Sequence, residues 1–289
     1  MKHRYREKHE VNDIKVIECI DCGFKHLFPL PTQKRLDEFY KNHFQESTPS
    51  PNLDDKKETL LEILGDSPDK RILDVGAWNG EFLDKFEDLG WERVGIEPNK
   101  KKKKILELKG VMVFEDFLEE IEVALLGKFD VVNLSFVLEH TLMPKKNLEI
   151  VFNDLLKPNG IICVEVPNEF NPLQMAIIKN KDIPIYWLYS PDHINYFNFD
   201  SLEQLIQRIG FEVLHKESDF PVEFFVLMGE NYIGNEKVGK RIHKKRCVLE
   251  ENLESAGLNN LKRSIYKHFA SLNIGRSVLM YARKPLIDI

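Results

Sequence analysis

The chain lacks any apolar run approaching the ~18 residues that a membrane-spanning helix requires. Its first residues, Met1-Lys-His-Arg-Tyr-Arg-Glu-Lys8, are charged, with no apolar signal region behind them. These absences lead to the expectation of a cytoplasmic protein with no membrane partner. Cysteine is scarce: four in 289 residues do not make a disulfide framework. Basic charge is not in excess either. Asp and Glu number 47 against 41 Lys and Arg, for a net charge of −6. Phosphate contacts usually demand a basic face, so no nucleic-acid partner is expected. There are no internal repeats. One further absence is local: the dinucleotide fingerprint Gly-x-Gly-x-x-Gly would place a glycine at position 78, and this chain has Trp78.

What is present is a soluble globular composition, 43% hydrophobic and 30% charged. Around Trp78 there is a readable pattern. Arg71-Ile-Leu-Asp-Val75 reads as a strand, Gly76 to Gly80 as a turn into a helix, and Val94-Gly-Ile-Glu97 as a second strand ending in a carboxylate. Glycines let backbone approach a ligand closely, and an acid at the end of the second strand is placed to accept hydrogen bonds from ribose hydroxyls. Trp78 would crowd a pyrophosphate, so the ligand expected here has a ribose and no phosphate. Further along, strands over 111–114, 129–134, 161–166, 211–214 and 277–282 alternate with helices over 100–108, 145–156 and 201–209. The Lys157-Pro-Asn-Gly160 turn is expected to separate one helix from the next strand, and Asp200 or Ser201 to cap the helix at 201.

The Asp74-x-Gly76-x-x-x-Gly80 pattern with Glu97 resembles the first motif of the class I S-adenosylmethionine (SAM) methyltransferases. The resemblance covers about residues 60–215 and weakly the last strand. It implies an α/β fold: a seven-stranded Rossmann-like sheet, mostly parallel with an antiparallel last strand, plus an N-terminal extension and inserted helical or lid segments. The expected division is a 1–55 extension with a Cys-x-x-Cys hairpin and helix, then a 56–289 methyltransferase domain with insertions at about 168–199 and 219–275. Carried onto this sequence, the resemblance assigns Asp74, Gly76, Ala77 and Gly80 to the methionine end of SAM and Glu97 to its ribose. Asp116 would accept the adenine amino group, Phe117 would pack on the ring, and Ser135 and Phe136 would line the cofactor.

The segment Ser135-Phe-Val-Leu-Glu139-His140 is similar to the Leu-Glu-His reading of small-molecule methyltransferases in this group. His140 either lies near the point of methyl transfer or, with Glu139, fixes the helix that follows. His193 with Phe197 resembles a His-x-x-x-Phe signature of sugar-modifying relatives, which makes His193 the first choice of general base; the other reading has Asp192 and His193 holding the lid to the core. Tyr186, Tyr189 and Tyr196 lie in an aromatic stretch suited to covering a ring-shaped acceptor, flat with one polar end each. The acceptor expected from this likeness is a small hydroxylated molecule, a sugar or nucleotide-sugar. Three rivals remain: an RNA or amine methyltransferase, whose usual Asn/Asp-Pro-Pro-Tyr is replaced here by Asn133-Leu-Ser-Phe136, a SAM-binding module without turnover, and an NAD oxidoreductase.

Cys19-x-x-Cys22-Gly23 with Pro29, Pro31, Phe39 and Tyr40 resembles the second half of the N-terminal zinc module of sugar methyltransferases. Structural zinc needs four ligands, and no cysteine precedes Cys19. His3, His9 or His26 would have to substitute, so the favoured reading is a metal-free remnant with no zinc. Two basic runs complete the reading. Lys100–Lys104 points around its helix and reads as solvated surface, and the stretch Lys237–Arg246 is read as a surface helix or a phosphate contact.

Overall fold

The computed structural model describes residues 3–11, 13–36, 52–65, 67, 69–181, 183–188 and 192–286. It divides the chain into two compact units. One comprises residues 1–45, 166–204 and 216–279, the other residues 46–165, 205–215 and 280–289. Residues 1–45 of the amino-terminal extension and both expected insertions therefore belong to one body. Elements are numbered in chain order.

The first unit is built on a sheet of short antiparallel strands. Among the described residues these are β1 (Tyr5–Val11), β2 (Ile14–Cys19), β3 (Lys25–Leu27) and β9 (Asn195–Tyr196), in the order β1-β2-β3-β9. Val11 pairs with Ile14 across the first turn, where Asp13 takes a positive φ of 66°, a conformation that a short polar side chain tolerates. Val16, Leu27, Trp187 and Tyr196 bury together, packed by Ile14, Phe170, Ile178, Ile185, Tyr186 and Leu188. Helix α5 (Pro172–Lys181) is started by Asn171, whose Oδ1 accepts from the backbone N–H groups of Leu173 and Gln174 at 3.0 Å each.

The second unit begins with α1 (Leu53–Leu64), which runs across the boundary expected at 55. Its sheet consists of β4 (Arg71–Val75), β5 (Glu92–Ile96), β6 (Met112–Phe114), β7 (Phe129–Ser135), β8 (Leu156–Pro167), β10 (Glu212–Glu217) and β11 (Ser277–Arg283). Among the described residues these seven strands lie in the order β10-β11-β8-β7-β4-β5-β6. The pairs β4/β5, β4/β7, β5/β6 and β7/β8 are parallel. The C-terminal pairing is antiparallel, with Asn159 N–H donating to Lys284 O and Lys284 N–H to Gly160 O. Strand order reverses between β4 and β7, which is where open α/β sheets bind ligands at their carboxyl ends.

The helices of this unit are short. α2 (Glu81–Asp84) leads into a 3₁₀ turn at Glu87–Leu89, replacing the single helix expected there. α3 (Lys100–Leu108) is capped by Asn99, whose Oδ1 accepts from Lys101 N and Lys102 N. α4 (Pro144–Ile150) continues into a π turn at Val151–Leu155. β8 then begins at Leu156 and takes Lys157-Pro-Asn-Gly160 into the strand, at the cost of a register shift between Phe129 and Val131. The expected loop is thus a strand irregularity. Helix α6 (Phe199–Ile209) starts earlier than predicted. Its cap is Asn198: Asn198 Oδ1 accepts from Ser201 N, and Ser201 Oγ accepts from Asn198 N, the reciprocal arrangement of a capping box.

The second insertion carries α7 (Glu223–Leu227), which is apolar after Glu223, and the charged helices α8 (Glu236–Ser255) and α9 (Asn259–Ser271). Among the described residues no helix is long and apolar enough to cross a membrane.

Candidate active site

The glycine turn is shaped by backbone strain. Gly76 has φ 75°, and a Cβ there would stand 3.0 Å from Val137 Cγ2. Trp78 also takes a left-handed φ, 52°, uncommon for a bulky side chain. It is held there. Trp78 N–H donates to Glu97 Oε2 at 2.9 Å, and Lys102 Nζ lies 3.9 Å from the centre of its ring while donating to Asn79 Oδ1 at 2.8 Å. Lys100 and Lys103 both face Glu115. The lysine run is therefore not wholly solvated: part of it clamps the turn.

Register aligns the expected cofactor residues. Val75 pairs with Ile96 and Leu134, and Ile96 with Phe114, so the next residues, Gly76, Glu97, Ser135 and Glu115, leave their strands at one level. Glu97 is buried, and its carboxylate accepts from Trp78 N and from Asn99 N at 2.8 Å. Burial raises its pKa, against the pull of those two donors and of Lys102. Phe117 and Phe136 are 43% and 42% exposed at the ends of β6 and β7, and Phe136 sits at φ 54°. Ala77 is buried, and Asp116 is half-buried with Oδ1 accepting from Phe117 N at 2.9 Å. Buried acid, bare backbone and exposed rings at one sheet edge fit a ligand with a ribose and an aromatic base.

Beneath this edge lies a buried polar network that the motifs did not reveal. Lys56 of α1 is 1% exposed. Its ammonium donates to Ser135 Oγ at 2.6 Å, Glu165 Oε2 at 3.0 Å and Asn133 Oδ1 at 3.1 Å. Asn133 Nδ2 in turn donates to Asp74 Oδ1 at 2.6 Å. Burial pushes the Asp74 carboxyl up to about 7, although Asn133 and the Lys56 charge favour its ionised form. The signal for this network was Asn133 and Glu165 standing inside apolar strands, since a buried polar group needs a partner.

The candidate bases sit in different surroundings. His140 is half-buried, its Nε2 3.7 Å from Oε1 of the buried Glu139. In the other unit, His193 Nδ1 lies 3.3 Å from Glu169 Oε1, a partner not foreseen from the sequence. Of the three tyrosines assigned to substrate, Tyr196 is 2% exposed inside the apolar cluster, with its hydroxyl donating to His193 O at 3.2 Å. Tyr186 is half-buried against that cluster, and Tyr189 lies outside the described residues. Much of the aromatic richness of the first insertion thus serves packing. The stretch Lys237–Arg246 is a helix with partners: Arg241 and Lys245 pair with Glu230, and Arg246 is buried against Asp219 at 3.3 Å. Arg246 is thereby removed from phosphate binding.

The family model described as "Methyltransferase domain" matches residues 44–216. No curated protein matches the chain. Among solved structures, a SAM-dependent methyltransferase from Archaeoglobus fulgidus aligns with TM-score 0.50 at 20% identity, over 88% of this chain and all (100%) of that one. The Burkholderia thailandensis 1,6-didemethyltoxoflavin-N1-methyltransferase, with bound 1,6-didemethyltoxoflavin and S-adenosylhomocysteine, aligns with TM-score 0.52 at 13% identity, over 97% and 100% of the two chains.

Proposed function

The chain belongs to the methyltransferase domain family, and from that premise we propose that it methylates a small hydroxylated molecule, a sugar or nucleotide-sugar, on oxygen or carbon. The enzyme is a SAM-dependent methyltransferase. The bound cofactor supplies an electrophilic methyl group on a sulfonium. The chain's own residues must hold reactants in line, exclude water and take up a proton, and alignment alone can provide roughly 7–11 kcal/mol of the barrier.

In this reading Glu97 holds the ribose, Gly76, Ala77 and Gly80 leave room for the methionine end, and Asp74 shapes it from below. Asp116 and Phe117 take the adenine, and Ser135 and Phe136 line the remaining edge. The observation that carries the cofactor assignment is Glu97, buried at the end of β5 with its carboxylate turned to the glycine turn. Calorimetry tests it: Glu97→Ala is expected to weaken SAM binding at least tenfold, and an unchanged affinity defeats the assignment.

The pairing of His193 with Glu169 supports a hydroxyl acceptor. A hydroxyl must lose a proton as it is methylated, and a carboxylate-oriented imidazole serves that need. His140 is the second candidate for the same task. His193→Ala is expected to leave SAM affinity intact and to slow turnover about 10²–10⁴-fold. The acceptor can be found by incubating the enzyme with methyl-labelled SAM and extracts of its source. Label in a low-molecular-mass hydroxylated product supports the proposal, and label in RNA or protein refutes it.

A further inference from the structure

Cys19 ends β2, and Cys22 lies in the turn that follows, so the two form a knuckle. Cys22 N–H donates to Cys19 Sγ at 3.3 Å, Gly23 N–H donates to Cys19 O at 2.9 Å, and Gly23 takes φ 85°, which its missing side chain permits. The cysteines are not joined by a disulfide. Two histidines reach the same spot. His3 Nδ1 stands 3.2 Å from Cys19 Sγ and 3.5 Å from Cys22 Sγ. His26, on β3, uses Nδ1 to meet Leu27 O at 2.8 Å, while its Nε2 is buried without a hydrogen-bond partner. One donor atom from each of the four residues falls within 4.8 Å of all the others. His9 is elsewhere, beside Glu7 and the Phe170 ring.

We propose that His3, Cys19, Cys22 and His26 form a tetrahedral zinc site in the amino-terminal sheet. Zinc bonds of about 2.3 Å to sulfur and about 2.0 Å to nitrogen give tetrahedron edges of about 3.3–3.8 Å. The His3–Cys22 distance of 3.5 Å already has that length, the His3–Cys19 distance of 3.2 Å is close to it, and no pair of donors is more than 4.8 Å apart. Two thiolates and two imidazoles are the donor set of zinc rather than of magnesium or calcium. The His26 arrangement has the form expected of a ligand: the outer nitrogen is fixed by a backbone carbonyl, and the inner one presents a lone pair.

The site is also positioned independently of metal. Arg4 N–H donates to Asp21 Oδ2 at 2.8 Å, the Arg4 guanidinium holds Asp21 Oδ1, and Ile20 N–H donates to Arg4 O at 2.8 Å. These bonds tie the strand entry that carries His3 to the knuckle. From spacing alone the knuckle read as a metal-free remnant, because no cysteine precedes it. The hairpin instead returns a histidine from each flank.

The test is metal analysis of the full chain, purified under reducing conditions without a metal-affinity tag. The expected result is stoichiometric zinc in the wild type and in His9→Ala, and its loss in Cys22→Ser and in His26→Ala, with circular dichroism as a check on folding. Should the variants misfold, the wild type still decides the matter. After chelation, added Co²⁺ is expected to give the visible bands of a tetrahedral site together with a thiolate charge-transfer band. The proposal is overturned if the chelated wild type binds neither Zn²⁺ nor Co²⁺ above the level of a Cys19→Ser/Cys22→Ser variant. It is equally overturned if His3→Ala and His26→Ala both retain full metal, or if the protein as isolated holds a Cys19–Cys22 disulfide.

Discussion

At the scale of single residues, the glycine turn and its acid meet through Trp78 N–H and Glu97 Oε2, above a polar network that Lys56 holds together. Gly76, Gly80 and Glu97 stand within one βαβ stretch, so their spacing speaks directly. Lys56 meets Asn133 and Glu165 across 77 and 109 residues of chain, and no local pattern announces such a meeting. Lys56→Met would leave Glu165 buried without its charge partner. The expected loss is about 3–5 kcal/mol of stability, measured by urea unfolding, and the added change Glu165→Met should return part of it. Asp74 gives a pH signature. Its folded pKa of about 7 lies above the ordinary aspartate value, so between about pH 4 and 7 the folded state holds a proton that the unfolded chain releases. Stability then falls as pH rises through that window. Asp74→Asn should flatten this component of the unfolding midpoint measured across the same range; an unaltered slope would mean that Asp74 does not titrate there.

At the scale of elements, the parallel strands β4, β5, β7 and β8 were readable as apolar runs, because strands buried on both faces carry little polar interruption. The strands of the other sheet were harder. β1 has the sequence Tyr-Arg-Glu-Lys-His-Glu-Val and a largely exposed face, and it exists by pairing with β2 rather than by its own hydrophobic pattern. β3 and β9 are too short to show alternation. The start of α6 was misplaced because its capping side chain, Asn198, lies before the expected Asp200 or Ser201. Asn198→Ala should therefore cost about 1 kcal/mol by denaturant titration, through loss of the N–H bond at Ser201. The turn Asn273-Ile-Gly275 precedes β11. In the fold Asn168 Nδ2 donates to Gly275 O at 2.9 Å, and a Cβ on Gly275 would collide with Ser218.

At the scale of the whole molecule, the net charge of −6 and the internal pairing of the α8 cations argue for weak association with polyanions. The proposed cofactor residues and the proposed metal ligands fall in different units. Hydrogen exchange should separate them: S-adenosylhomocysteine is expected to protect the ends of β4, β5 and β7, and zinc to protect β1 to β3. One property of Glu97 extends to the measured heat of the entire binding reaction. Its carboxylate is buried and holds protons more tightly than an exposed one, while hydroxyl donors arriving from a ribose would favour the charged form. Cofactor binding at mildly acidic pH should therefore expel a fraction of a proton into solution. The calorimetric enthalpy would then vary with the ionisation enthalpy of the chosen buffer, and a part of the apparent affinity would belong to the solvent's willingness to accept that proton.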